Sequence, residues 1–213
     1  MTSFPADRGA DIVRALIRVI TENRAYLSEI DGAIGDGDHG VNMAKGFALC
    51  AEKMGPGAMS LSAALQLLGE TLMESIGGSM GPLYGMYFIG LGEAAEGIDQ
   101  IAAPDFQAML EQGLTDLRSI TEAQIGDKCL MDTVVPATSA FSGALAAGAE
   151  FAAALDRMTE AAEAGRDSTK EMVAKIGRAS RLGERSRGTL DAGATSCALL
   201  LAEMAAAMKP MLA

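Results

Sequence analysis

The strongest constraint on this chain is a recurring pattern in which stretches of apolar residues at helical spacing each end in glycine or proline. From about Asp7 to Ile30, the side chains of Ile12, Leu16, Val19, Ile20 and Leu27 fall close to one helical face, and Asp31-Gly32 ends the run. A second helix is predicted from about His39 to Met54, stopped by Gly55-Pro56-Gly57. Ser60 caps a third from Leu61 to Ile76, with Ser62 as a competing cap, and Gly77-Gly78 ends it. Pro82 and Pro104 stand where a first-turn proline opens a helix, the second of these near Asp105 to Ile120. Gly126-Asp127-Lys128 reads as a hinge. Thr133 to Ile176 holds two or three helices, with breaks expected near Gly148 and Gly165. Gly177 to Asp191 reads as a long polar loop and Ala194 to Met208 as the closing helix.

About eight helices joined by short connections predict an all-α antiparallel bundle, with residues 1–213 forming one domain. Composition agrees, since Ala, Leu, Met and Glu dominate and tryptophan is absent. Cys50, Cys129 and Cys197 form no CxxC pair, so they are expected as small core residues in a reducing cytoplasm. The methionines, 14 in all, sit mostly among Ala and Leu and are expected as flexible core filler. No run reaches the roughly 18 apolar residues of a membrane span. A net charge of -11 argues against nucleic acid, although an acidic protein still binds polyphosphate when divalent cations intervene. Alternation in such a bundle puts every second loop at the same end, and the chemically informative residues lie in loops.

The strongest chemical signal is Asp31-Gly-Ala-Ile-Gly-Asp36-Gly-Asp38-His39-Gly40. Three carboxylates separated by glycines can turn onto a shared hard cation, and oxygen-only ligands favour Mg²⁺ or Ca²⁺ over zinc. The competing reading is an exposed acidic turn in which Asp and Gly supply only turn geometry and a helix cap. Gly35, Gly37 and Gly40 fit a dinucleotide fingerprint, but no apolar strand precedes them. An EF-hand starting at Asp36 fails at Val41 and Phe47, where glycine and glutamate are required. His39 is the single histidine, which excludes a multi-histidine metal site and favours cap or packing work.

Two further loops are candidates. Gly77-Gly78-Ser79-Met80-Gly81-Pro82 precedes a helix, whose N–H groups can converge on an anion, or it is a simple helix-to-helix turn. Between Gly177 and Gly188, Arg178, Arg181, Arg185 and Arg187 reverse the charge of an acidic chain. Such arginines suit a transferring phosphoryl group, or they are solvated and paired with nearby acids.

In order, IGDGDHGVNMAKGF, GGSMGPLYG, GDKCLMD and GRASRLGERSRGTLDAGATS resemble the L subunit of dihydroxyacetone kinases over nearly the whole chain. The resemblance implies an eight-helix antiparallel barrel with ADP or ATP at one end, two Mg²⁺ ions, and a separate K subunit that binds the ketose covalently. By position it makes Asp31, Asp36 and Asp38 metal ligands and sets His39, Gly40, Val41 and Asn42 beside the phosphates. Ser79 and Met80 fall in a second phosphate loop, Leu130 faces the adenine, Asp191 and Gly193 flank base or ribose, and Arg178 is the catalytic arginine. Met80, Leu130, Thr189 and Ala192 depart from the family's usual serine, methionine, histidine and proline. The implied activity is phosphoryl transfer to a small ketose, from free ATP or from bound ADP recharged by a phosphotransferase-system protein. The alternative is a non-catalytic ADP-sensing subunit.

Overall fold

A computed structural model describes residues 2–213. Its α-helices are α1 (Gly9–Glu22), α2 (Arg24–Ile34), α3 (His39–Met54), α4 (Leu61–Ser75), α5 (Met80–Ala94), α6 (Ala103–Ser119), α7 (Met131–Ala146), α8 (Phe151–Ser168) and α9 (Ala192–Met208). The two short strands β1 (Ser3–Pro5) and β2 (Gln100–Ala102) pair antiparallel, with Phe4 opposite Ile101. The all-α expectation holds.

Eight of the helices close a ring. Starting from α1 and continuing with α3, each of α3 to α8 packs against the next, and α9 packs against both α8 and α1. The predicted first helix is split at Asn23, where the backbone leaves helical geometry (φ -95, ψ 9). Beyond that break α2 leaves the ring and packs on α3 and α9. Gly40 makes this close approach possible, since a Cβ there would lie 2.0 Å from the Arg24 carbonyl oxygen. The first-helix end expected at Asp31-Gly32 also moves: α2 runs through both residues to Ile34, so Asp31 stands on a helix rather than in a loop.

Other boundaries follow the local chemistry. Ser60 Oγ accepts the Ala63 N–H at 3.2 Å as the N-cap of α4. Pro82 and Pro104 lie in the first turns of α5 and α6. The break at Gly148 is present (φ 83), but the one expected at Gly165 is not. Gly165 is inside α8, where the missing side chain lets the helix approach α7: a Cβ would sit 2.1 Å from the Asp132 carbonyl oxygen. The segment expected as loop forms 3-10 turns over Arg178–Ser186, interrupted at Gly183. Its serines hold the turns, with Ser180 Oγ donating to Gly177 O and Ser186 Oγ to Gly183 O, both at 2.7 Å.

The ring is filled by aliphatic and methionine side chains, among them Leu65, Leu68, Met109 and Met158 at 0% exposure. Each such full burial is worth roughly 1.5–3 kcal/mol. Cys50, Cys129 and Cys197 are free and buried, as expected. Four of the six phenylalanines gather where Phe106, Phe141 and Phe151 meet at centroid distances of 5.2 to 5.9 Å, with Phe4 of β1 added at 6.3 Å from Phe151. Among the described residues no helix is long and apolar enough to cross a membrane.

Candidate functional site

Alternate connections of the ring meet at one end. The α2–α3, α4–α5, α6–α7 and α8–α9 loops together line a cleft of about 670 Å³. It collects Asp31, Asp36, Asp38, His39 and Asn42 from the α2–α3 junction and Ser79 and Met80 from the α4–α5 junction. Lys128 and Leu130 come from the third, and Arg178, Asp191 and Gly193 from the fourth. A separate hollow of about 720 Å³ beside α7 and α8 is walled mainly by alanines, with Arg157 and Glu160 paired to each other at 2.7 Å. It holds no cluster of reactive groups.

The acidic loop is built to aim carboxylates. At the end of α2 the Gly35 N–H returns to the Asp31 carbonyl at 2.5 Å, and Asp31 Oδ2 accepts the His39 N–H at 3.3 Å. This bond ties the last turn of α2 to the first of α3. Asp38 occupies the N-cap position of α3 but makes no side-chain cap bond, so its carboxylate is free for other work. One oxygen from each of Asp31, Asp36 and Asp38 lies within 4.8 Å of the others. Three like charges at this spacing repel unless a cation joins them, and an all-oxygen set suits Mg²⁺ or Ca²⁺. The donor set fits a divalent metal. A cation already reaches them: the Arg178 guanidinium is ion-paired with Asp36 and lies 3.9 Å from Asp38.

The second and third loops supply different surfaces. Ser79 is the N-cap of α5 and also makes no side-chain cap bond, while Met80 is half-buried against the core. Leu130 is 6% exposed, and Gly193 lies against it, with the site of a Cβ on Gly193 3.8 Å from Leu130 Cβ. Asp191 caps α9 through Oδ1, which accepts the Ala194 N–H at 2.7 Å. Burial pushes the Asp191 carboxyl up to about 7 despite that bond, and the charge of Asp132 adds to the rise while Lys128 opposes it.

Beneath the acidic loop a polar chain runs into the core. The His39 ring nitrogen Nε2 is 2.8 Å from Ser196 Oγ, which is 2.7 Å from the Tyr84 hydroxyl, and Tyr84 donates to the Gly193 carbonyl at 2.9 Å. Burial pulls the His39 imidazole down to about 4, with the Asp31 charge opposing it, so the ring is neutral at pH 7. Sequence reasoning missed Ser196 and Tyr84 as partners, although both fall inside the motifs quoted above. Their signal was a polar group on an otherwise apolar helix. Lys128 and Asp132 were missed in the same way: Asp132 accepts the Gly126 and Cys129 N–H groups at 2.5 and 2.8 Å and shapes the turn on which Lys128 sits. Two expected residues stand apart from the cleft lining. Gly40 is buried against α2, and Val41 is exposed at 42%.

The DAK2 domain matches residues 33–206. The ADP-binding subunit of the PEP-dependent dihydroxyacetone kinase of Escherichia coli (strain K12) is 34% identical over 192 residues, covering 90% of this chain and 91% of that one. The ADP-binding subunit of the PTS-dependent dihydroxyacetone kinase of Lactococcus lactis is 38% identical over 186 residues, 85% of this chain and 86% of its own. The crystal structure of the dihydroxyacetone kinase of C. freundii superposes with a TM-score of 0.71 at 25% identity. That match covers 93% of this chain and 34% of the larger kinase.

Proposed function

Because this chain belongs to the DAK2 domain family, we propose that it is the ADP- and ATP-binding subunit of a dihydroxyacetone-type kinase, delivering a phosphoryl group to a small ketose held by a separate K subunit. The observation that carries this reading is the acidic cluster, three carboxylate oxygens within 4.8 Å at the mouth of a four-loop cleft. The E. coli and L. lactis relatives are ADP-binding subunits of PEP- and PTS-dependent kinases, which supports bound ADP recharged by a phosphotransferase-system protein.

In this reading Asp31, Asp36 and Asp38 hold Mg²⁺, two ions being expected, and the metal supplies positive charge against the phosphate oxygens. His39 to Asn42 lie beside the phosphates at the start of α3, where the main-chain N–H groups of Gly40 and Val41 and the positive helix end face them, and Ser79 and Met80 do the same at the start of α5. With Gly40 turned to α2 and Val41 to the exterior, these two residues contribute through the main chain alone. Leu130 gives an apolar surface for the adenine, and Asp191 and Gly193 flank base or ribose. Arg178 exchanges its carboxylate partners for the transferring phosphoryl group, where a fixed guanidinium stabilises developing charge. Catalysis is then positioning and electrostatics, with the ketose chemistry on the partner.

The test is calorimetric ADP binding with and without Mg²⁺, for the wild type and for Asp36→Asn with Asp38→Asn, after circular dichroism has confirmed the fold. Magnesium-dependent binding that the double variant loses is expected. Wild-type binding that ignores magnesium, or no binding by nucleotide-free protein, would sink the proposal.

A further inference from the structure

Lys128 is buried to 2% exposure at the edge of the cleft, and nothing in the chemistry above uses it. Its Nζ donates to the carbonyls of Ser186 and Thr189, both at 2.6 Å, and of Met172 at 3.3 Å. An ammonium has three donors, so all are spent on main-chain oxygens and none is left for a phosphate. Lys128 is therefore not a ligand residue. Its three acceptors lie on the two sides of one loop: Met172 before the segment bearing Arg178, Ser186 and Thr189 after it. The same loop base is crossed by Gly188 N–H to Lys170 O at 2.8 Å and Ala174 N–H to Ser186 Oγ at 2.9 Å. Those bonds join the loop to itself. Lys128 joins it to the α6–α7 turn, which Asp132 fixes to α7.

The backbone shows that this contact is specified. Lys128 is the one non-glycine among the described residues with positive φ, at 64°. A residue with a Cβ is disfavoured there and is held only when its surroundings determine it. The left-handed turn carries the ammonium inward to the carbonyls. The carbonyl clasp compensates the cost of burying a charge, which a solvated surface lysine would not incur.

We propose that Lys128 is a positioning residue, clasping the base of the loop 172–189 so that Arg178 stands over the acidic cluster. This rests on the phosphate role given to Arg178 above. Outer contacts that orient a site's ligating groups commonly cost about 10- to 100-fold in affinity when removed.

Mg²⁺–ADP affinity is to be measured by calorimetry for the wild-type chain, Lys128→Met, Arg178→Ala and the double variant, with the fold checked by circular dichroism. Lys128→Met should weaken binding about tenfold, accelerate tryptic cleavage between Arg178 and Arg187, and add nothing to the loss already caused by Arg178→Ala. Lys128→Gln, which keeps two donors, should fall between wild type and Lys128→Met, and it replaces Lys128→Met in the cycle should that variant not fold. Losses that add independently, or unchanged affinity in Lys128→Met, would overturn the proposal. So would loss of fold in both lysine variants, which would make Lys128 a residue of the core alone. Arg178→Ala without effect would instead remove the premise about Arg178.

Discussion

Gly165 and Gly143 lie in neighbouring helices, α8 and α7, yet replacing each with alanine should move stability in opposite directions. At Gly165 the new Cβ would be 2.1 Å from the Asp132 carbonyl oxygen and 3.1 Å from Thr133 Cα. Ordinary carbon-to-oxygen contacts are about 3.3–3.6 Å, so α7 and α8 must separate by more than about 1 Å. The oxygen belongs to the first turn of α7 and cannot rotate away as a side chain would. Overpacking against rigid backbone belongs at the upper end of about 1–3 kcal/mol, which leaves a net loss of about 1–2 kcal/mol once alanine's helical advantage over glycine of about 1 kcal/mol is subtracted. At Gly143 nothing lies within 4 Å of the added atom, so only that advantage remains. Urea denaturation should show Gly143→Ala stabilised by about 0.5–1 kcal/mol and Gly165→Ala destabilised by about 1–2 kcal/mol. In thermal scans each kcal/mol should appear as about 2–4 °C for a chain of this size. Gly165→Ala as stable as Gly143→Ala would refute the claim that α8 is pressed onto the Asp132 carbonyl.

Ser196→Ala should cost about 1–3 kcal/mol by leaving buried His39 Nε2 without a partner. Tyr84→Phe should cost less, because His39 and Ser196 keep each other; a urea series giving the reverse order would contradict the network. The folded His39 titrates near 4 rather than 6.5, so the unfolded chain takes up the proton first and this contribution to stability is lost as pH falls from 6.5 towards about 4. Asp191 works the other way: its carboxyl is raised from 3.8 to about 7, so its contribution falls as pH rises through that window. Asp191→Asn, which retains a cap acceptor for α9, should therefore leave a steeper acid loss below pH 6.5, and an unchanged stability profile against pH would count against this assignment. Mg²⁺ with ADP at a hundred times its Kd should stabilise the wild type by about 2.7 kcal/mol, and the Asp36→Asn, Asp38→Asn protein by much less in the same calorimetric scan.

The helices were legible in the sequence because their determinants are local. Ser60 caps α4 and Pro82 and Pro104 sit in first turns wherever the rest of the chain goes. The acidic loop was legible too, since three carboxylates among glycines mean the same in any fold, although they read equally well as a cap. The structure adds that the Asp38 side chain makes no cap bond and that its carboxylate stands with those of Asp31 and Asp36. Gly165 illustrates the limit. As a residue type it signals a helix break, and its real role depends on a carbonyl 33 positions earlier in the chain.

The sequence alone therefore determined the helical class, the order of elements and which loops carry charge, all properties of spacing and side-chain chemistry within a few residues. Tertiary structure decided that four separate loops share one cleft, that Arg178 meets Asp36, and that Lys128 is buried among three carbonyls. Those contacts join residues tens of positions apart, and they exist only once the ring has closed and brought alternate helix ends together.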